Sequence, residues 1–236
     1  MKIELNEDIT INFTVTYSKR KTMAIKIDPS GEVSVAAPYR TSKQTILKMV
    51  NKKSGWLLKK LNEIAEINEQ IKVKKFVDGE QFVYQGVNYP LQLMINEKLA
   101  KPVARICFGK LMVDVPAVDE AVIRSAIENW YRLMAEAYIK LRLQYFQALL
   151  NVKPNKVTIK NQKTRWGSCS SKGNLNFNWR IIMAPANVVD YLVIHELCHM
   201  THPNHSKAFW DLVAKIMPDY KERKNWLNKN GPKLNF

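Results

Sequence analysis

The stretch VIHELCHMTHPNHSKAFW, residues 193–210, contains every histidine of the 236-residue chain: His195, His199, His202 and His205. Histidines placed by composition alone would be scattered, each serving its own part of the surface or core. Their concentration in one short segment indicates that this segment needs several imidazoles at once, as a metal site does.

His195, Glu196 and His199 form an HExxH motif in a segment whose apolar residues predict a helix. Residues four apart in a helix differ by about 40° around its axis, so both imidazoles can bind one metal ion. Glu196 points to one side of the pair, where it can reach a water bound to the metal. A shuffled chain of this composition would hold about 0.003 such matches, so chance is a poor explanation.

The residues after the helix offer a third ligand. Pro203 cannot continue a helix, so we expect the chain to turn and to bring His202 or His205 back toward the metal. We favour His205. The alternative is a closed structural site with four protein ligands, formed if both of these histidines bind or if Cys198 joins them.

The composition limits the class of protein. The chain has 37 basic and 21 acidic residues and a formal net charge of +16, which is compatible with an acidic or nucleic-acid partner. No arginine cluster or nucleic-acid motif accompanies this charge, so a nucleic-acid partner is not indicated. No run approaches the roughly 18 apolar residues that span a bilayer, and the charged N-terminus is unlike a signal peptide. We therefore predict a cytoplasmic protein without a membrane segment.

The first half of the chain predicts a β-rich region over residues 1–116 with one helix. Alternating apolar residues indicate strands, two of them joined by a tight turn at residues 28–31. Residues 42–70 have helical spacing, with Ser42 as the cap and Gly55 as a weak point.

The second half, residues 117–236, predicts a domain of helices with a small antiparallel sheet. A long helix is expected over 119–150, short strands with a turn at residues 171–174 follow, and Pro185 opens the helix that carries the histidines. The face of the long helix predicted to be buried consists of Ile123, Ile127, Trp130, Met134, Tyr138, Leu141, Tyr145 and Leu149. Ser206 is expected to cap a further helix whose Phe209 and Trp210 pack beneath the histidines.

The run TRWGSCSSKGNLNFNWRIIMAP, followed by VVDYLVIHELCHM and PNHSKAFW, resembles the YgjP-like zinc metallopeptidases, relatives of the SprT-type proteases within the zincins. The resemblance is closest over residues 120–236, and the β-rich region before them is also similar to the N-terminal part of that family. It implies an α+β zincin-like fold. It also implies a Zn²⁺ cofactor held by His195, His199 and His205, with Glu196 as the catalytic residue.

The resemblance implies metal-assisted hydrolysis of a peptide or protein substrate, with Glu196 as the general base. An exposed edge strand can pair with an extended peptide, so the segment at residues 164–169 predicts a substrate shelf formed by Arg165, Trp166, Gly167 and Ser168. The alternative for this segment is an ordinary packed hairpin with Trp166 in the core. Four residues are candidates for stabilising an oxyanion: Tyr191, Tyr220, Arg165 and His202.

A second function remains open from the sequence. A non-catalytic, basic, nucleic-acid-associated protein with a structural zinc would also explain the histidines and the net charge. It predicts steeply salt-dependent binding to DNA or RNA and unfolding when the metal is chelated.

Overall fold

The computed structural model describes residues 1–6, 9–28, 30–70, 74–162 and 164–235. The chain forms two compact units, Met1–Lys72 and Val73–Phe236. The boundary predicted from the sequence, at 116/117, falls inside the second unit. The difference has a physical reason, because apolar residues on both sides of Pro116 pack into one hydrophobic core.

The first unit is a four-stranded sheet with two helices. Its elements are β1 (Lys2–Asn6), β2 (Ile9–Ser18), β3 (Ala24–Ile27), β4 (Val33–Pro38), α1 (Lys43–Lys52) and α2 (Ser54–Gln70). The strand order is β1-β2-β4-β3, with β2 and β4 parallel and the other pairs antiparallel. Apolar residues from β2, β4 and both helices form a core of their own.

Two local predictions for this unit can be compared with the structure. Ser42 caps α1 as predicted, since its Oγ accepts a hydrogen bond of 3.1 Å from the backbone N–H of Thr45. The single helix predicted over residues 42–70 is instead two helices separated at Lys53, next to the weak helix former Gly55. In the predicted turn, Pro29 lies outside the described residues.

The second unit begins with a four-stranded sheet. It contains β5 (Gln81–Tyr84), β6 (Val87–Ile95), β7 (Val103–Cys107) and β8 (Lys110–Val115), in the order β5-β6-β8-β7. The β6/β8 pair is parallel, and the two hairpin pairs are antiparallel.

The long helix α3 (Glu120–Leu150) follows and begins within one residue of its predicted start, where the Asp119 side chain accepts a hydrogen bond of 2.9 Å from the backbone N–H of Val122. The buried face predicted from the sequence is correct at Ile123, Ile127 and Trp130. Met134 and Tyr138 are partly buried and pack against the core. The prediction is wrong at the last three positions, since Leu141, Tyr145 and Leu149 are more than half exposed. The core is instead filled from the neighbouring positions, namely Tyr131, Ala135, Ile139, Leu143 and Phe146. Both faces are apolar, so packing against other elements decides which one is buried.

A three-stranded sheet precedes the histidine helix. Its strands are β9 (Lys156–Lys160), β10 (Gly167–Cys169) and β11 (Asn174–Asn178), in the order β10-β11-β9. The sheet is mixed rather than wholly antiparallel, because β9 and β11 run in the same direction. Within the described residues β10 pairs on one side only, so it is an edge strand.

The remaining elements are helical. A 3₁₀ turn at Trp179–Met183 leads into α4 (Ala186–Cys198), α5 (Lys207–Ile216), α6 (Tyr220–Asn230) and a short 3₁₀ turn at Gly231–Lys233. The α+β class predicted from the sequence is confirmed. None of the helices in the described part of the chain is both long enough and apolar enough to cross a bilayer.

Two contacts hold α4 in place. Arg142 of α3 forms a bidentate ion pair with Asp190, at 2.6 Å from Nε and 2.9 Å from Nη2. At the start of α4, the β5–β6 turn lies against Pro185, and a Cβ on Gly86 would come within 3.0 Å of the proline ring. Gly86 also has φ +80°, a conformation that glycine adopts without strain. Together these contacts position the helix that carries the HExxH motif.

Candidate metal centre

Three histidine side chains come together at the C-terminal end of α4. Ring nitrogens of His195, His199 and His205 all lie within 4.8 Å of one another, and this is the only such group among the residues that the structure describes. The Nε2 atoms of His195 and His205 are 3.1 Å apart. Two nitrogen ligands of one tetrahedral metal ion, each about 2.0–2.1 Å from it, lie about 3.3 Å apart, so this pair has the spacing of two ligands of one ion.

The turn after α4 decides which histidine joins the pair. The backbone N–H groups of Thr201 and His202 both bond back to the carbonyl of Cys198 and close the end of the helix. The chain then passes Pro203 and brings His205, and not the side chain of His202, into the group.

His202 contributes through its backbone instead. Its carbonyl oxygen lies 3.0 Å from Nδ1 of His199. A carbonyl can only accept a hydrogen bond, so Nδ1 of His199 carries the proton and Nε2 keeps its lone pair for a metal.

Aromatic rings surround the imidazoles. Phe209 is fully buried, stacks on His199 at 4.5 Å between ring centroids, and meets His195 edge-on at 5.0 Å. Trp210 stacks on His205 at 5.4 Å. Burial, aided by the charges of the other two histidines and of Lys224, lowers the pKa of His195 to about 3. The ring is therefore neutral at physiological pH, which is the form that binds metals.

Glu196 is only 4% exposed, and its Oε2 has no hydrogen-bond partner among the described residues. Burial raises the pKa of Glu196 to about 8, against the opposing effect of the Arg165 charge. A buried carboxylate oxygen without a partner is costly, and such groups concentrate at functional sites.

Gly167 of β10 makes room for this carboxylate. A Cβ built on Gly167 would lie 2.8 Å from Cδ of Glu196 and closer still to Oε1. Real Cβ contacts are essentially never so short, so any side chain at residue 167 would displace Glu196 or the strand. The edge strand thus passes directly over the glutamate.

The other residues of the predicted substrate shelf lie in different surroundings. Arg165 is exposed, and its charge acts on Glu196. Trp166 is half-buried and packs against the core, with its indole ring close to Gly231. Ser168 Oγ accepts a hydrogen bond of 3.2 Å from Asn176 on β11.

Lys224 is a site neighbour that sequence reasoning did not find. It lies on α6, with Nζ 4.1 Å from the centre of the Trp210 ring. The C-terminal segment contains several lysines with similar spacing. No local signal separates Lys224 from the others, since its place depends on how α6 packs on α5.

The α+β fold, the grouped imidazoles and the adjacent buried glutamate are the features of a metallopeptidase domain. A family model described as "YgjP-like, metallopeptidase domain" matches residues 21–230, and the chain therefore belongs to the YgjP-like metallopeptidase family. The resemblance stated from the sequence is thus confirmed.

Solved structures provide a further comparison. The crystal structure of the metallopeptidase zymogen of Pyrococcus abyssi abylysin is 24% identical and covers 39% of this chain and 93% of its own, with a TM-score of 0.36. No curated protein sequence matches the chain.

The contact between Gly167 and Glu196 leads to a first prediction. Replacing Gly167 with alanine should lower the free energy of unfolding by about 1–3 kcal/mol, because the new methyl group overpacks the carboxylate. Ser168→Ala is the matched control, since it removes one hydrogen bond on the opposite face of β10 and should cost about 1 kcal/mol or less. Urea unfolding of the chelator-treated protein, followed by tryptophan fluorescence, measures both. Equal losses in the two variants would contradict the contact.

The burial of Glu196 leads to a second prediction. Its pKa rises from an ordinary 4.5 to about 8 in the folded protein. At pH values between 4.5 and about 8, the carboxyl group is ionised in the unfolded chain but protonated in the folded protein. The contribution of Glu196 to the free energy of unfolding therefore falls as the pH rises. The Glu196→Gln variant does not lose stability in this way, because the glutamine amide does not titrate. In chelator-treated protein its melting temperature, measured by calorimetry, should exceed that of the wild type most at pH 8 and least at pH 5. A difference that does not change with pH would refute this.

Proposed function

We propose that the protein is a zinc-dependent peptidase in which His195, His199 and His205 bind Zn²⁺ and Glu196 is the general base. One observation carries this proposal: three imidazole nitrogens are grouped beside a buried carboxylate oxygen that has no hydrogen-bond partner among the described residues. Metallopeptidase family membership supports the same reaction class.

When bound, zinc lowers the pKa of a water ligand to about 7 and polarises the carbonyl of the scissile bond. The residues of this chain transfer the proton and position the metal ligands. The carboxylate of Glu196, whose ionised form is favoured by the charge of a bound dication, accepts a proton from the attacking water and delivers it to the leaving amine. Phe209 and Trp210 hold the imidazole rings in place through stacking.

We propose that β10 binds the substrate backbone. It is an edge strand, and an extended peptide can add to such an edge through main-chain hydrogen bonds. The lack of a side chain at Gly167 lets β10 lie directly against Glu196, so a peptide paired with this strand would pass close to the glutamate. The proposed substrate-binding residues are Arg165, Trp166, Gly167 and Ser168.

A closed, structural zinc site is less well supported. It needs a fourth protein ligand, and neither candidate from the sequence belongs to the histidine group. Cys198 is fully buried, and burial raises the pKa of its thiol to about 12, which disfavours the thiolate that zinc requires. The His202 side chain lies outside the group. The non-catalytic, nucleic-acid-associated alternative requires such a structural zinc site, so it is less well supported as well.

The identity of the third ligand can be tested by zinc affinity. His205→Ala should weaken zinc binding by more than the roughly 10–100-fold that the loss of an outer-shell partner costs. His202→Ala is the control, because it keeps the backbone carbonyl that faces His199 and should bind zinc almost as the wild type does. Competition with a chromogenic chelator measures both affinities. A larger loss in the His202 variant would show that the assignment is wrong.

The role of Glu196 can be tested by separating metal binding from turnover. Glu196→Gln should retain one zinc per chain but lower the hydrolysis of a quenched-fluorescence peptide library by about 10²–10⁴-fold, the usual contribution of a general base. Glu136→Gln, an exposed position on α3, is the control and should leave turnover unchanged. Undiminished turnover in the Glu196 variant would exclude it as the base.

A further inference from the structure

Lys224 places a positive charge beside the histidine group. Its side chain is half-buried, and its Nζ lies over Trp210, whose ring stacks on His205. The lysine therefore lies one aromatic ring away from the histidine group.

No acidic side chain in the described part of the chain neutralises Lys224, since none has a carboxylate oxygen within 4.0 Å of its Nζ. The acidic residues near the start of α6, Asp219 and Glu222, are both paired with Arg223. Asp211 on α5 is paired with Lys207 at 2.9 Å. A partly buried ammonium group without an anion is unfavourable, and it also repels a metal dication bound nearby.

A second cation lies on another element. Arg165 is exposed and lies two residues before Gly167, whose backbone packs against Glu196. The site is thus bordered by cations from α6 and from the approach to β10, while Glu196 is its acidic residue. A bound dication would make the potential more positive still, which favours an anionic group on the substrate.

We propose that Lys224 binds a carboxylate of the substrate next to the scissile bond, so that the site selects acidic peptides. This inference rests on the proposed function and names its substrate class. The ammonium group would form a charge-assisted hydrogen bond with the carboxylate, and the Trp210 ring holds it in place through a cation–π contact. The carboxylate is either an acidic side chain or the free C-terminus of the peptide.

The test measures binding rather than turnover. Zinc-loaded Glu196→Gln protein is titrated calorimetrically with alanine pentapeptides: one blocked at both ends, one with a free C-terminal carboxylate, and two blocked peptides with a central glutamate or glutamine. At least one carboxylate peptide should bind about tenfold more tightly than its neutral counterpart. The peptide that shows the preference identifies the source of the carboxylate.

Adding Lys224→Met to this protein should abolish the preference, and Lys224→Arg should retain it. Lys229→Met, which removes the same charge from an exposed position on α6, is the matched control and should leave the preference intact. A preference that is absent, or that survives Lys224→Met, overturns the inference. If Lys224→Met does not fold, loss of the preference in a folded Lys224→Arg protein overturns it as well.

Turnover of the same four peptides by the wild-type protein separately tests the proposed function. Because the binding experiment uses a variant without the general base, the two ideas can fail independently. Turnover without a carboxylate preference leaves a peptidase and removes the role of Lys224. A Lys224-dependent preference without turnover leaves an anion-binding site and removes the peptidase.

Discussion

Burial of the Glu196 carboxylate, with partial burial of the His195 imidazole beside it, is the constraint on which the rest of the structure depends. Both residues lie on α4, a helix whose other side chains are mostly fully buried. Ionised groups are costly there, so the histidine is held neutral and the pKa of the glutamate is raised. A neutral imidazole is a ready metal ligand. The core therefore prepares this site at the expense of stability.

The surrounding elements keep these groups in position. The ion pair between Arg142 and Asp190 and the contact of Gly86 with Pro185 fix the N-terminal half of α4. At the other end, the capped helix α5 presents Phe209 and Trp210 to the histidine rings. A side chain held in this way loses little further freedom when it binds a metal or a substrate, which favours tight and specific binding.

The sequence alone predicted the features that depend on neighbouring residues. Ser42 and Ser206 cap their helices because each cap needs a partner only three residues away. The predictions failed where the local sequence did not distinguish between two possible arrangements. The second half of α3 is apolar on two adjacent faces, and only packing against other elements buries Phe146 and exposes Tyr145. In the same way, no local pattern reveals that the strands before Pro116 share a core with the helix after it.

For the candidate site, the sequence by itself determined the pair of histidines and the glutamate between them, because helix geometry places residues four apart on one face. It favoured His205 over His202 as the third ligand but could not decide between them, since that choice depends on the path of the turn after α4. The contact of Gly167 with Glu196 and the position of Lys224 beside Trp210 were decided only by the tertiary structure. These contacts join residues from separate strands and helices, and their distances follow from how the whole second unit packs.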